Sequence, residues 1–503
     1  MTSIRGYSVF FLLIVLSSTG AAQEALRFEV KMDQDYSRLP KTGDLYLIIS
    51  EEAVGEPRMR LDEYPMHGFV FKTPVRDLKP GEPVIIDERT PGYPGPLSEL
   101  LPGRYGVQAV LDVNPTTSDF TRAGGNGRSR PIRPFLDPKS SGLVTVTIDR
   151  EIIVPRPRDI GRIRYRKIEL RSLGHALGHR FFVKVAVVLP HSWNRHDEKT
   201  YPVQYWIPGL GERVHGALGF FQGRGVYGPT RREDGTREQE FIYVLVGSMG
   251  RHGHLGWVDS ENNGPALEAF VEELIPTLEA EFPVAGEPED RYLVGHGMGG
   301  LSALWLLAAR PGFFAGAWAL APDPVDFHDF FGVDLYARPP RNAYVDADGR
   351  ERALIVEQGR PLVTWREEAR FESIVGTGNL LQSYEAILSP KGPGGAPRPL
   401  FHRGTGRIDP ATAEFWTRRD LHRVLAQVWK EQGPELDGKI HIWVGDKDNF
   451  GLHRPVARLW DALESWNAEA EVKVLPGKDH ADLDSAEIHR KVQREIAADY
   501  EDR

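Results

Sequence analysis

The stretch YLVGHGMGGLSALWLLAARPG, residues 292–312, decides the fold. A short apolar run comes first, a cluster of glycines follows, and a second apolar run of helical length ends at Pro311 and Gly312. This order predicts a buried strand, a sharp turn and a helix. Gly297 stands at the predicted apex, so the chain carries no side chain at the point where the strand meets the helix.

The glycines fit the turn called a nucleophile elbow, G-x-S-x-G, except at its central residue. In that turn a serine occupies a strained backbone, and small flanking residues let the helix pass close to the strand. Gly295, Gly299 and Gly300 meet the second requirement. Glycine adopts a strained backbone at the least cost. We therefore expect the turn to survive at Gly297 without the hydroxyl group that would act as nucleophile.

A second interpretation of the same glycines is a dinucleotide-binding turn. Gly295, Gly297 and Gly300 also satisfy G-x-G-x-x-G between a predicted strand and helix. Asp323 ends the next predicted strand, where a carboxylate for the ribose would stand. However, such a turn normally opens its domain, whereas this one follows two or more strands. Dinucleotide binding is therefore kept as the weaker alternative.

Two later segments supply the other groups of a serine-hydrolase site. The segment IHIWVGDKDNF, residues 440–450, ends a predicted strand with Asp446 and Asp448, and VLPGKDHADL, residues 474–483, places His480 after the next strand. The α/β-hydrolases use this chain order of nucleophile, acid and histidine. Each residue alone would fit an ordinary turn. Their positions in the strand order together favour a hydrolase-type site.

The region from 160 to 503 alternates apolar strand patterns with amphipathic helix patterns. Such alternation predicts an α/β fold with a mostly parallel sheet that is covered on both faces. A long segment, about 326–423, interrupts the alternation before the acid loop. An insertion at this edge of a parallel sheet can form a cap over the site, and it can equally be a packed structural extension. Both interpretations stay open.

The region from 24 to 157 has a different pattern, in which short alternating runs are separated by proline and glycine. This spacing predicts a small all-β sandwich of immunoglobulin-like type. We interpret it as an accessory domain that packs against the α/β domain. Carbohydrate binding is the alternative role.

Residues 1–22 have the pattern of a cleaved signal peptide. Arg5 supplies a positive charge, residues 9–16 are apolar, and small residues follow up to Ala22. The chain contains no cysteine, which suits a large exported domain that is stable through its core. We therefore predict a periplasmic or secreted bacterial protein with no membrane segment after cleavage.

Charge and histidine spacing limit the partners. A formal net charge of −9 argues against nucleic-acid binding, which needs a basic surface. His252 and His254 lie close together, but no carboxylate stands near them at ligand spacing, so we predict no metal site. No cofactor is predicted either, and the expected partner is a small-molecule ester or sugar-linked ligand.

From about residue 163 to 497 the chain resembles bacterial esterases related to enterochelin esterase, feruloyl esterase and S-formylglutathione hydrolase. The resemblance is carried by five stretches, YPVQYWIPGLG, DSENNGPALEAFVEELIPTLE, YLVGHGMGGLSALWLLAARPGFFAGAWALAPDPVDF, GDKDNFGLHRPVARLWDAL and VLPGKDHADL. It implies an α/β-hydrolase fold. In that family the turn reads G-H-S-x-G-G, so Gly297 departs from the pattern at the nucleophile.

The resemblance also implies roles for particular residues. His480 would be the general base, and Asp448 would orient it, because the family pattern after this strand is glycine, two residues and aspartate; Asp446 is the alternative acid. The backbone N–H groups of Leu210 and Met298 would form the oxyanion hole. None of these groups depends on a side chain at Gly297.

The sequence therefore predicts an exported esterase-type protein that is inactive or weakly active because Gly297 replaces the serine. The alternative is a non-catalytic protein that binds an ester or glycan in the old pocket. A relocated nucleophile is less favoured, because Ser302 should pack inside the helix and Ser260 should be a structural or substrate-contacting loop residue.

Overall fold

The structure is a computed structural model, and it describes residues 24–503 apart from 53, 62–66, 195, 197, 213, 215–238 and 377. The predicted signal peptide, 1–22, lies outside the described residues. Within the described part of the chain, no helix is long and apolar enough to cross a membrane.

The first part of the described chain consists of ten strands. They are β1 (Arg27–Met32), β2 (Lys41–Ser50), β3 (Gly68–Leu78), β4 (Pro83–Ile86), β5 (Gly92–Tyr93), β6 (Gly103–Arg104), β7 (Gly106–Asp112), β8 (Gly127–Ser129), β9 (Phe135–Leu136) and β10 (Leu143–Glu151). Eight of them form one sheet in the order β4-β1-β10-β8-β7-β2-β3-β5, and β6 pairs with β9. The immunoglobulin-like assignment and the domain boundary near 157 stay predictions.

Twelve further strands follow. They are β11 (Ile163–Glu169), β12 (Phe182–Val188), β13 (Val203–Ile207), β14 (Ile242–Val246), β15 (Met249–Gly250), β16 (Gly253–His254), β17 (Arg291–His296), β18 (Gly316–Leu320), β19 (Ala353–Glu357), β20 (Arg360–Thr364), β21 (Ile440–Gly445) and β22 (Ala470–Leu475). Eight form a sheet in the order β11-β12-β14-β13-β17-β18-β21-β22. From β14 to β22 all neighbours are parallel, which confirms the predicted mostly parallel sheet.

The helices lie between and beside these strands. They are α1 (Arg171–Leu177), α2 (Ala266–Ala269), α3 (Ile275–Glu281), α4 (Met298–Ala309), α5 (Trp365–Val375), α6 (Leu380–Leu388), α7 (Pro410–Trp416), α8 (Leu421–Leu436), α9 (His453–Ser465) and α10 (Ala486–Asp502). A π-helical segment, Phe270–Leu274, joins α2 to α3. Short 3₁₀ turns lie at Pro57–Arg60, Leu97–Glu99, Pro288–Asp290, Phe327–Asp329, Pro393–Gly395, Thr417–Arg419 and Ala481–Asp484.

The central sheet has an apolar core on each face. On β17, Leu293 packs into the cluster that contains α2, α3, α4 and α8, whereas Tyr292 and Val294 pack into the cluster that contains α10. Successive side chains of a strand point to opposite faces, so a strand that is apolar throughout must be covered on both. The protein is therefore an α/β protein in this region.

The helix α4 is buried on almost every side. Residues 298–308 are all buried, and a helix that is apolar all round can be stable only when other elements surround it. Its position behind the sheet holds its first turn, and with it Gly297, at the end of β17.

The insertion, 326–423, is a packed part of the fold. Trp365, Tyr384 and Trp416 are fully buried or nearly so and belong to the same core as the central sheet. Helix α5 also contacts the first part of the chain, since the Tyr46 hydroxyl donates to the Val375 carbonyl at 3.1 Å. This contact joins the first part of the chain to the insertion, and the accessory role of residues 24–157 stays a prediction.

Candidate active site

Gly297 forms the apex of a sharp turn between β17 and α4. Its backbone has φ 55° and ψ −122°, a combination that favours glycine. The Gly297 N–H donates to the Leu320 carbonyl at 3.0 Å, and its own carbonyl accepts from Leu301 at 3.0 Å and from Asp323 at 3.1 Å. The turn is thus fixed to α4 and to the loop that follows β18.

The neighbouring glycines are required by close packing. A Cβ atom on Gly295 would lie 2.2 Å from the Gly299 carbonyl oxygen, and one on Gly299 would lie 1.9 Å from the Ile207 carbonyl oxygen. Both distances are far inside van der Waals contact. A Cβ atom on Gly297 would instead lie 3.5 Å from its nearest neighbours. The turn therefore has room for a side chain at residue 297, although not at 295 or 299.

His480 faces this turn and is held by Asp448. The His480 Nδ1 lies 2.9 Å from Asp448 Oδ2, and its Nε2 lies 3.5 Å from the point that a Cβ atom on Gly297 would occupy. The other carboxylate oxygen, Asp448 Oδ1, accepts from the backbone N–H groups of Phe450 at 2.9 Å and Leu452 at 3.2 Å. A carboxylate held in this way fixes the orientation and tautomer of the imidazole.

Asp446, the alternative acid, has a different partner. Its Oδ1 accepts from the Gly477 N–H at 2.6 Å, so it joins the loop after β21 to the loop after β22. In this arrangement Asp448 is the carboxylate that contacts His480. The catalytic role of the pair stays a prediction.

Burial and charge act against each other at the histidine. Burial disfavours the charged imidazole, but the hydrogen bond that His480 donates to Asp448 and the charges of Asp448, Asp323 and Glu212 outweigh it and raise the pKa of His480 above its ordinary value. Burial likewise works to raise the pKa of Asp448, and the hydrogen bond and charge of His480 lower it overall. The pair is therefore suited to transfer a proton at Nε2 while Asp448 stays ionised.

The two predicted oxyanion donors lie at the ends of neighbouring parallel strands. Met298 is the first residue of α4, where an N–H group has no partner within the helix, and Leu210 lies in the turn after β13. Among the described residues, neither N–H donates to a backbone carbonyl. The Gly209 N–H donates to Glu212 at 2.9 Å, which braces that turn. Oxyanion binding by these donors stays a prediction.

Asp323 lies beside the turn, and the prediction of a catalytic site did not include it. Its Oδ1 lies 3.5 Å from the point that a Cβ on Gly297 would occupy, and its Oδ2 accepts from the Tyr384 hydroxyl at 2.7 Å. Burial raises the pKa of Asp323 to about 6, against the effects of the Tyr384 hydrogen bond and the His480 charge. The sequence held one signal for this placement. Asp323 follows β18, and β18 is the parallel neighbour of β17, so the loops after the two strands lie side by side.

The same geometry bears on dinucleotide binding. That interpretation places Asp323 in an open groove where it could meet a ribose. The residue is 6% exposed, and its carboxylate is engaged by Tyr384 from the insertion. The His480 ring and the Asp448 carboxylate beside Gly297 also suit proton transfer better than pyrophosphate binding.

The other singled-out residues have structural contacts. Ser302 is buried inside α4, and its hydroxyl donates to the Met298 carbonyl at 2.7 Å. The Ser260 hydroxyl accepts from the Asn263 N–H at 2.9 Å within a loop. His254 is buried, and its two ring nitrogens contact the Pro208 carbonyl and the Gly256 N–H. Burial lowers the pKa of His254 to about 4, so the ring is neutral.

Two groups of side chains bring three possible metal-ligand atoms within 4.8 Å of one another in the described part of the chain. They are Glu212 with His296 and Asp484, and Asp326 with His328 and Asp420. In the second group, Asp326 already accepts from His328, His422 and Arg458 at 2.8 to 2.9 Å. The Asp326 carboxylate therefore has hydrogen-bond donors within the protein whether or not a cation binds.

Comparison with known proteins gives relatives that are named esterases. "Esterase Rv1288" from Mycobacterium tuberculosis is 28% identical over 206 residues, which is 39% of this chain and 40% of that protein. The match thus spans about two fifths of the length of this curated relative. Among solved structures, a ferulic acid esterase is 14% identical with a TM-score of 0.39, covering 67% of this chain and 97% of that one. An S-formylglutathione hydrolase (FrmB) from Staphylococcus aureus is 14% identical with a TM-score of 0.38, covering 68% and 100%.

A protein-family model also matches the chain. The model described as "Putative esterase" covers residues 175–482, which is more than half of the chain and contains Gly297, Asp448 and His480. The chain therefore belongs to this esterase family.

Proposed function

We propose that the protein binds a small-molecule carboxylic ester at the Gly297 turn and hydrolyses it slowly, by direct attack of water and without an acyl-enzyme. One observation carries the proposal. The pair of His480 and Asp448 is complete and directed at a residue that has no side chain.

The chemistry follows from the position of Nε2. A serine at residue 297 would bring its hydroxyl within reach of His480, whereas glycine leaves that space to solvent or substrate. Loss of the serine from a serine-hydrolase site costs about 10⁶ in turnover, while oxyanion donors and binding retain roughly 10³–10⁴ over water. Weak hydrolysis is therefore the expected activity, with the N–H groups of Leu210 and Met298 binding the oxyanion.

The ligand that suits this site is an ester with an apolar part, and a sugar-linked ester is included. Phe450 lies edge-on to the His480 ring with centroids 5.0 Å apart, so an apolar surface borders the proton-transfer groups. Binding without any turnover is the second outcome compatible with the same pocket.

Export is a further part of the proposal. Support comes from the composition of residues 1–22 and from the absence of cysteine. Expression of the full chain in a bacterial host, followed by the intact mass of the protein from the periplasm and medium, tests it. A chain that stays in the cytoplasm with residues 1–22 attached would contradict export.

The test of the ester site is Gly297→Ser, with Gly297→Ala as its matched control. Both variants add a Cβ to the same backbone, but only serine adds the hydroxyl. We expect Gly297→Ser to show a burst with p-nitrophenyl acetate and labelling by a fluorophosphonate, and the wild type and Gly297→Ala to show neither.

The other outcomes separate the alternatives. A folded Gly297→Ser that neither reacts nor binds ester contradicts the proposal. Saturable binding of ester with no turnover in any variant would favour a binding protein, and saturable binding of NAD or FAD would favour the dinucleotide interpretation. Strong labelling of the wild type would reveal a nucleophile elsewhere.

A further inference from the structure

We propose that Asp323 is the general base of this site and that His480, protonated, is its general acid. The proposal rests on the ester site proposed above and specifies which group receives the proton of the attacking water. It assigns a catalytic residue that belongs to neither the serine-hydrolase triad nor the oxyanion hole.

Position is the first argument. The point that a Cβ on Gly297 would occupy is 3.5 Å from Asp323 Oδ1 and 3.5 Å from His480 Nε2. A carboxylate and an imidazole thus border the same small space beyond the Gly297 Cα. A water or an ester group in that space lies within reach of both proton-transfer groups.

The second argument is that Asp323 is held in place from two sides. Its backbone N–H donates to the Gly297 carbonyl at 3.1 Å, which fixes the residue to the turn itself. Its Oδ2 accepts from Tyr384, whose ring is fully buried and packs edge-on against Phe330 with centroids 4.9 Å apart. Within the described residues Oδ1 has no hydrogen-bond donor, so this oxygen is the one left for a water.

The third argument is the proton balance of a reaction without serine. In a serine hydrolase one histidine takes the proton from serine and later gives it to the leaving group. When water attacks directly, it must lose a proton while the departing alkoxide gains one. Two separate proton-transfer groups at the same space can do both without an acyl-enzyme.

These positions allow a hydrolysis step in which both groups transfer a proton. The water oxygen forms a bond to the acyl carbon as one of its protons passes to Asp323 Oδ1. The bond between the acyl carbon and the alkoxy oxygen then breaks, and the proton on His480 Nε2 passes to the departing oxygen. A carboxylic acid and an alcohol result. Exchange with solvent returns the proton from Asp323 to His480, so the net reaction consumes one water.

The charges around the two groups agree with these roles. Burial raises the pKa of Asp323 to about 6, so its carboxylate is ionised at neutral pH but remains a stronger base than an exposed one. Asp448 raises the pKa of His480 against the effect of burial. The groups that act electrostatically on Asp323 or His480 are Tyr384, Asp448, Glu212, His296 and Asp484.

Hydrolysis of p-nitrophenyl acetate by the full chain, measured from pH 5 to 9, tests the proposal. Asp323→Asn keeps an oxygen for Tyr384 and removes the base. We expect it to lower kcat by about 10² to 10⁴-fold and to abolish the fall in rate below pH 6. The matched control is Asp334→Asn, in the same segment between β18 and β19. The Asp334 Oδ1 accepts from the Tyr336 N–H, and this change should leave the rate and the pH profile unchanged.

Tyr384→Phe gives a second readout that loss of folding does not imitate. The Tyr384 hydrogen bond lowers the pKa of Asp323, so its removal should move the acidic limb of the wild-type profile to higher pH. Circular dichroism of each variant checks that the fold is retained. A residue with only a structural role would change the rate without moving this limb.

The outcomes distinguish this inference from the ester-site proposal. Wild-type turnover that Asp323→Asn leaves within twofold, with an unchanged profile, overturns the inference. So does a wild type that never exceeds the buffer rate, even if Gly297→Ser becomes active; that result would also contradict slow hydrolysis by the wild type and would support only an ester-binding pocket at the Gly297 turn. Turnover that depends on Asp323 in a protein whose Gly297→Ser variant gains no burst supports the inference and contradicts the expectation that a serine at residue 297 would form an acyl-enzyme.

Discussion

Gly299 and Gly297, two glycines of the turn, should respond differently to the addition of one methyl group. In Gly299→Ala the new Cβ would lie 1.9 Å from the Ile207 carbonyl oxygen, so α4 must move away from β13. Overpacking of this kind costs about 1–3 kcal/mol and occasionally more. Because the obstacle is backbone and α4 is buried on almost every side, we expect a loss of unfolding free energy of about 3–5 kcal/mol.

Gly297→Ala should cost less. Its Cβ meets nothing closer than 3.5 Å, so the cost comes from the positive φ of 55°. Such strain amounts to about 1–3 kcal/mol, and the reduced entropy of the unfolded chain returns about 0.4–1 kcal/mol. A net loss of about 1–2 kcal/mol is expected. Gly438→Ala, at φ 71° with nothing within 4 Å of the added Cβ, measures the cost of positive φ by itself.

Urea denaturation followed by tryptophan fluorescence and circular dichroism measures all three variants. The expected order of destabilisation is Gly299→Ala, then Gly297→Ala together with Gly438→Ala. If Gly297→Ala loses as much stability as Gly299→Ala, the site has no room for a side chain. The argument that a serine could be restored there would then fail.

Two further predictions concern elements that hold the site and its surroundings. Asp326 is fully buried, and the hydrogen bonds from His422, His328 and Arg458 outweigh the effect of burial and lower its pKa well below the ordinary value. A carboxyl group with a lowered pKa stabilises the fold above its unfolded pKa, and this stability is lost as pH falls. Asp326→Asn should therefore lose about 1–3 kcal/mol of unfolding free energy at pH 7. In urea titrations the difference from wild type should shrink below about pH 4. Tyr46→Phe removes the bond to the Val375 carbonyl and should lose about 1 kcal/mol without changing ester turnover; a change in turnover would link the first part of the chain to the site.

Local sequence patterns were sufficient for the turn and for the order of the site. Glycines between two apolar runs predicted a tight strand-to-helix turn, and the structure shows that Cβ atoms at 295 and 299 would collide with the backbone there. The alternation of strand and helix patterns predicted a mostly parallel sheet, since helices between strands place those strands in parallel. Both the turn and the alternation depend on residues that are close together in the chain, so the local sequence pattern is enough to predict them.

Contacts between distant parts of the chain required the tertiary structure. Asp448 and Asp446 differ by two positions in one loop, and only the loop geometry decides that the first meets His480 while the second meets Gly477. The sequence left open whether residues 326–423 form a cap or a packed extension. In the structure this segment packs into the core of the central sheet, and its Tyr384 also reaches the site.

The position of Asp323 beside the turn could not be predicted from the local sequence. From the sequence, Asp323 could bind a ribose or be an ordinary loop residue, because nothing nearby in the chain distinguishes these roles. Its position beside Gly297 arises because β17 and β18 are parallel neighbours, so the loops after them meet at one edge of the sheet. Strand order is decided by the packing of the whole core, and the composition of a single strand does not encode it.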